Sequence, residues 1–137
     1  MTWTLVACVL APWILTRVIK LCHDVWKAKS FSWSMLFYDG GFPSSHTAFV
    51  FGLVGFFWFE TGASYWFFIS LVVGLIVGYD AFNVRWVTGE QSKAINKLMA
   101  KDKNHKPLNE RVGHTIPEVI GGAVIGLLVP WLIFLLF

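Results

Sequence analysis

Apolar and polar positions follow one another along this chain in long blocks. Four stretches, at about residues 3–19, 43–59, 65–79 and 116–137, are almost wholly apolar. Each approaches the roughly 20 residues with which an α-helix crosses the hydrocarbon core of a bilayer, and the third is the shortest. Its neighbours can shield its ends, or it can stand with little tilt. The Thr-Gly-Ala-Ser at 61–64 reads as a tight turn between the second and third stretches. After the third stretch the pattern changes. Val84, Val87, Gln91, Ala94, Ile95 and Leu98 recur at helical spacing, and Lys93, Lys97 and Lys101 form a stripe four residues apart. This predicts an amphipathic helix over about 84–99, resting on the membrane with its lysines toward anionic headgroups. A merely solvated face is the plainer alternative. The fold class predicted is all-α: a single membrane domain over 1–137, an integral bundle of about four transmembrane helices plus a cytoplasmic interfacial amphipathic helix.

Composition points the same way. Of 137 residues, 56% are hydrophobic and only 14% charged, more apolar surface than a soluble domain of this length could hide. The abundant Phe and Trp suit rings held at headgroup level. A net charge of +3 would fit either nucleic acid or an anionic membrane surface. The hydrophobicity decides for membrane lipids, and no nucleic-acid partner is expected. The first apolar run is read as a retained helix, because Arg17 and Lys20 follow it, whereas a secretory signal carries its positive charge first. On one helix Cys8 and Cys22 would stand about 21 Å apart, too far for a disulfide.

Charge then sets the orientation. Arg17, Lys20, Lys27 and Lys29 connect the first two apolar stretches, and the other Lys and Arg, Arg85 to Arg111, connect the last two. The turn near Gly62 has none. With four spans, both basic connections fall on one side, which the positive-inside rule makes cytoplasmic, with both termini external. Four helices make a thin bundle, to which a second copy could be added as a homodimer.

The candidate chemistry sits at that same face. The second stretch opens with Gly-Gly-Phe-Pro-Ser-Ser-His-Thr at 40–47. Gly-Gly allows an unusual backbone path, a Ser supplies an N-cap, and the free amides of a helix start attract anions. His46 beside them is an ionisable group at the bilayer edge, where such groups usually serve function. The third stretch ends in Asp80, with Arg85 five residues on as its partner, an arrangement a structural ion pair would equally explain. The fourth is preceded by His114, Thr115, Pro117 and Glu118. Thr115 and Glu118 match a capping box, and a second carboxylate oxygen of Glu118 would remain to orient His114. In an antiparallel bundle Lys20, His46, Asp80, Arg85, His114 and Glu118 all reach one face. Two histidines, two cations, two carboxylates and a helix start suit phosphoryl transfer: cations neutralise the moving group, one His attacks, and the other protonates the leaving oxygen.

Three blocks, GGFPSSHTA, DAFNVRWVTGEQSKAINKL and GHTIPEVIGG, resemble the divergent branch of the type-2 phosphatidic acid phosphatase superfamily, also described as acid phosphatase/vanadium-dependent haloperoxidase-related. They occur in the expected order across about residues 20–122. The superfamily's Pro-Ser-Gly-His falls on Pro43, Ser44, Ser45 and His46, with Ser45 in place of Gly. Its His-x-x-x-Asp falls on His114 and Glu118, with Glu in place of Asp. The resemblance implies His114 as the nucleophile of a phosphohistidine, Glu118 as the group fixing its tautomer, and His46 as general acid. With Asp80 these make the catalytic set. Lys20, Ser44, Ser45 and Arg85 are the phosphate-binding set. The Lys-x6-Arg-Pro block is missing, so Lys20 is assigned by position. The Arg expected shortly before the nucleophile is displaced: Arg111 is three residues from His114 and Arg85 lies far upstream. Typical relatives have six helices, and many bacterial ones act on the outer face.

The function expected is hydrolysis of a phosphate or diphosphate monoester of a lipid, with no cofactor needed. A polyprenyl, diacylglycerol or phosphatidylglycerol-type phosphate would fit. The alternative is a non-catalytic chain that binds an anionic headgroup or serves as a membrane subunit. A metal reading would take His46, His114, Asp80, Glu90 and Glu118 as ligands for Mg²⁺ or Mn²⁺, but their spacing fits no metal motif. A haloperoxidase would need vanadate and an exposed site.

Overall fold

The computed structural model describes residues 2–33, 35, 40–102 and 104–136. Met1, Lys103 and Phe137, which the reading above includes, lie outside the described residues. The helices are α1 (Thr2–Ala28), α2 (Ser45–Thr61), α3 (Tyr65–Phe82), α4 (Val84–Leu98) and α5 (Ile116–Leu136), and no strand occurs among the described residues. By length and composition Thr2–Ala28, the α3–α4 stretch Tyr65–Leu98 and Ile116–Leu136 can each cross a membrane. The 17 residues of α2 are at the short end of what spans a bilayer.

α1 runs past the apolar stretch that ends near 19 and continues to Ala28. No Gly or Pro between 20 and 28 stops it. Arg17, Lys20 and Lys27 are therefore helix residues rather than parts of a loop, and only Lys29, with φ 51°, leaves the helix. α3 likewise reaches Phe82 before the break at Asn83, after which the amphipathic α4 follows at once.

The inside of the bundle is made of small residues. α1 buries Cys8, Pro12, Thr16 and Lys20, α3 buries Ser70, Gly74, Gly78 and Ala81, and α5 buries Val119, Gly122, Gly126 and Pro130. Each set recurs every three or four residues and so lines one helix face. The large apolar side chains of these three helices mostly point outward instead, as Trp13, Ile14, Val72, Ile76, Leu128 and Leu132 do, while the central α2 buries Val54 and Phe56. In water this arrangement would be untenable. In lipid it is the expected one, because close approach of backbones replaces hydrophobic burial as the force between helices.

α2 is packed against α1, α3 and α5. Two prolines show how close the packing is. Pro12 and Pro130 have no N–H, so the carbonyls four residues earlier, on Cys8 and Gly126, lose their helical donors. At both places α2 presents a glycine. A Cβ on Gly52 would strike the Cys8 carbonyl oxygen, and one on Gly55 would come within 2.9 Å of Pro130 Cγ. At the far end Trp58 meets Phe67 across the turn, with ring centroids 5.0 Å apart. Consecutive spans run antiparallel, so the end of α1, the start of α2, the end of α3 and the start of α5 meet at one face.

Among the described residues α4 touches no other helix but α3. Trp86, Val87, Ile95 and Leu98 are exposed, as are Lys93 and Lys97. Such a two-faced helix suits a membrane surface.

Candidate active site

The start of α5 is built around His114. It is 4% exposed, and its main-chain N–H donates to the Ala81 carbonyl at 2.9 Å, which ties the start of α5 to the end of α3. Its Nδ1–H donates to Glu118 Oε2 at 3.1 Å. The Thr115 N–H donates to that same Oε2, also at 3.1 Å. The capping contact and the histidine contact therefore share one oxygen, where the sequence suggested a division between two. A carboxylate oxygen has two lone pairs, so it can accept both.

Burial holds the His114 imidazole below the ordinary histidine value of 6.5, and the charges of Lys20 and His46 push the same way, while the bond to Glu118 and its charge act upward. The ring is accordingly neutral near pH 7. With the proton on Nδ1, the lone pair is on Nε2.

Two cavities meet at this residue. The first, of about 380 Å³, has His46, Asp80, Arg85, Arg111 and His114 in its wall, and Phe49, Val50, Ile76 and Val77 beside them. The second, of about 500 Å³, has Lys20, Lys27, Arg111, His114 and Glu118. Residues 111–114 are common to both. Arg85 Nε–H donates to Asp80 Oδ2 at 2.7 Å, which fixes the guanidinium while using one of its five N–H groups. Lys20 is 8% exposed, a cation that the small-residue face of α1 carries into the bundle.

Of the residues expected at the site, Lys20, His46, Asp80, Arg85, His114 and Glu118 line these cavities. Ser44 and Ser45 line neither. Ser44 is fully buried and caps α2: its Oγ accepts from the Thr47 N–H at 3.4 Å and from the Thr47 hydroxyl at 2.9 Å. Its own N–H donates to the Glu118 carbonyl at 2.9 Å, so it joins the two helix starts. The Ser45 hydroxyl, 1% exposed, has no hydrogen-bond partner among the described residues. Glu90 is bonded to Lys93 at 2.6 Å on α4. No three His, Cys, Asp or Glu side chains among the described residues form a group able to hold a metal.

Arg111 is the residue that the sequence brings up but that the phosphate-binding set leaves out. It lines both cavities. Its place three residues before His114 was the available signal. Asn109, also in the first cavity, carried none.

An all-helical membrane bundle with a buried, carboxylate-held histidine at one end defines the class of protein. The particular family follows from comparison: the Divergent PAP2 family matches residues 2–129, and the chain belongs to it. It is also similar to the uncharacterized membrane protein YuiD of Bacillus subtilis (strain 168). The two are 35% identical over an alignment of 136 residues that takes in 87% of this chain and 86% of the relative. No solved structure matches.

Proposed function

We propose that this protein is a lipid phosphatase, which hydrolyses a phosphate or diphosphate monoester of a lipid through a phosphohistidine. The observation that carries the reading is His114 itself. It is a neutral imidazole, its Nδ1 is committed to Glu118, and it stands in the wall of a cavity shared with His46, Arg85 and Arg111. The family membership agrees with phosphatase ancestry.

In the first step the His114 Nε2 lone pair attacks phosphorus and the bond to the lipid oxygen breaks. Protonated His46 gives its proton to that oxygen as it leaves. In the second step water attacks the phosphohistidine. His46, now neutral, takes the water's proton, the P–N bond breaks, and inorganic phosphate departs. Arg85, Arg111 and Lys20 offset the charge on the phosphoryl oxygens. Asp80 holds Arg85, and Glu118 balances the charge that develops on the His114 ring. The apolar wall of Phe49, Val50, Ile76 and Val77 beside these polar groups suits a substrate with a phosphate head and a buried chain. The clustering of Lys and Arg argues for a cytoplasmic site with external termini.

The test is phosphate release by purified protein in detergent over a panel of lipid phosphates and diphosphates, with His114→Ala as control. Turnover by the wild type alone supports the reading. Binding of anionic lipid with no turnover of any substrate would replace it with headgroup binding.

A further inference from the structure

We infer that Asn96 is a positioning residue for this site, clamping to α4 the loop that carries Arg111 and His114. Its effect on turnover rests on the phosphatase reading; the clamp is a matter of geometry.

The connection from α4 to α5 forms no helix among its described residues. Ordering such a segment costs roughly 1–2 kcal/mol per residue in backbone entropy, so something must hold it. Its own bonds are short-range. The Asp102 N–H donates to the Met99 carbonyl at 3.0 Å, the Asn104 N–H to Asp102 Oδ1 at 2.9 Å, the His105 N–H to the Asp102 carbonyl at 3.2 Å, and the Arg111 N–H to Asn109 Oδ1 at 3.0 Å. The α4 side chain of Asn96 ties the loop to the helix. Its Oδ1 accepts from the Leu108 N–H at 2.8 Å and from His105 Nε2–H at 3.1 Å. Its Nδ2 donates to the Leu108 carbonyl at 2.9 Å and to Glu110 Oε1 at 2.8 Å.

Both lone pairs and both hydrogens of the amide are thus used. The double exchange with Leu108 imitates the paired bonds of two facing strand residues. It also fixes the amide's orientation, because a reversed amide would set N–H against N–H at Leu108. The loop lies close along the helix: a Cβ on Gly89 would come within 2.6 Å of the Val112 carbonyl oxygen.

The consequence concerns what lies just downstream. His114 is held by the Ala81 carbonyl and by Glu118. The Asn96 clamp ends at Glu110. Arg111 begins the short bridge between these two holds, and it lines both cavities. Asn96 lines neither, so it acts on the site through the loop. Without it, the loop keeps its packing of Val112 against Gly89 and its hold at His114 but loses the bonds that fix it at Leu108 and Glu110, so the backbone that carries Arg111 shifts more readily relative to His114. Displacement of a positioning group by about 1 Å can cost roughly 10²-fold in rate.

The experiment uses the full chain in detergent, with Asn96→Ala, Arg111→Ala and the double variant. Hydrogen exchange is followed at the amides of residues 106–112 and of α2 and α5. We expect Asn96→Ala to speed exchange in the loop by about tenfold or more, the scale of one to two lost hydrogen bonds, and to leave α2 and α5 unchanged. Its kcat/KM should fall roughly 10–100-fold. Added to Arg111→Ala, the same substitution should cost little more, because both act through one guanidinium. Unchanged loop exchange, or losses that multiply fully in the double variant, would overturn the proposal. If Asn96→Ala does not fold, Asn96→Asp, which keeps the acceptor and loses both donors, is read in the same way. If the wild type turns over no substrate, the phosphatase reading fails on its own, and loop exchange alone decides whether the clamp exists.

Discussion

Gly113 lies directly against the backbone of Trp86, so close that a Cβ there would strike the Trp86 nitrogen and come within 2.5 Å of its Cα. It also has φ 87°, a conformation that side chains disfavour. One glycine therefore lets the loop before His114 cross the start of α4. Gly113→Ala should destabilise the protein by about 2 kcal/mol or more, the combined scale of backbone strain and a clash against main chain. Phosphate release should fall with it. Gly62→Ala is the comparison. That glycine also has positive φ (63°), but nothing lies within 4 Å of its added Cβ. Its cost should be nearer ~1 kcal/mol, with activity kept. Thermal melting in detergent with parallel assays reads both.

Glu118→Gln separates capping from catalysis. The amide oxygen can still accept from the Thr115 N–H, so stability should change by less than ~1 kcal/mol. The charge that balances the His114 ring is lost, and turnover should fall by roughly 10²-fold or more. A loss of stability that matched the loss of rate would mean that Glu118 serves only the helix start.

The pH profile follows from the burial of His114, which holds its folded value below the ordinary 6.5. A histidine lowered on folding is stabilising when neutral. Its contribution is complete above about 6.5 and is lost as pH falls from there through the lower folded value. The acid limb of kcat/KM should accordingly have its midpoint below 6.5. Since Glu118 acts to raise the value, Glu118→Gln should move that limb to still lower pH. A limb displaced upward would contradict the assignment.

The two histidines should fail differently. His114→Ala should abolish turnover and leave no acid-labile phosphoenzyme when radiolabelled substrate is trapped. His46→Ala should slow release of an alkyl alcohol by ~10²–10⁴-fold, the usual worth of general acid help, and slow nitrophenolate release far less. Equal losses with both leaving groups would reduce His46 to a phosphate ligand.

Orientation can be read with single cysteines in whole cells. Cys22 is exposed and free, so the background is Cys22→Ser, whereas Cys8 is buried. A cysteine at Ser64 should react with an impermeant thiol reagent added outside, and one at Asn104 should not. The opposite pattern would put the site on the outer face.

The helical bundle and the family were legible because apolar runs and three motif blocks are local signals. The inner face of the bundle was not. It is made of Gly, Ser and Pro at positions such as Gly52, Gly74 and Gly126, and the apolar runs draw the eye to the larger residues, which face lipid. Charged residues at the ends of spans could be assigned to one face by topology alone. Where each hydroxyl turns could not, since Ser44 spends its oxygen on Thr47 and its N–H on the carbonyl of a helix distant in sequence. Asn96 was invisible for a like reason, two of its partners being the backbone groups of Leu108, which no residue type advertises.

The helices differ in length where they would be expected to agree. At 1.5 Å per residue, the 27 residues of α1 extend about 40 Å and the 17 of α2 about 26 Å, against a hydrocarbon core of ~30 Å. The last turns of α1, from Lys20 to Ala28, carry Lys20, His23, Asp24 and Lys27 and belong to the headgroup layer. The apolar part of α1 is therefore no longer than α2, and a bilayer wrapped around both is pinched. Pinching costs a fraction of a kcal/mol per Å, little enough for a leaflet to yield. The headgroups would then dip toward the start of α2, where His46 stands. A phosphate on a buried chain would arrive by drifting sideways, with no need to be lifted out of its leaflet, and the thickness of the host bilayer would become a control on the rate.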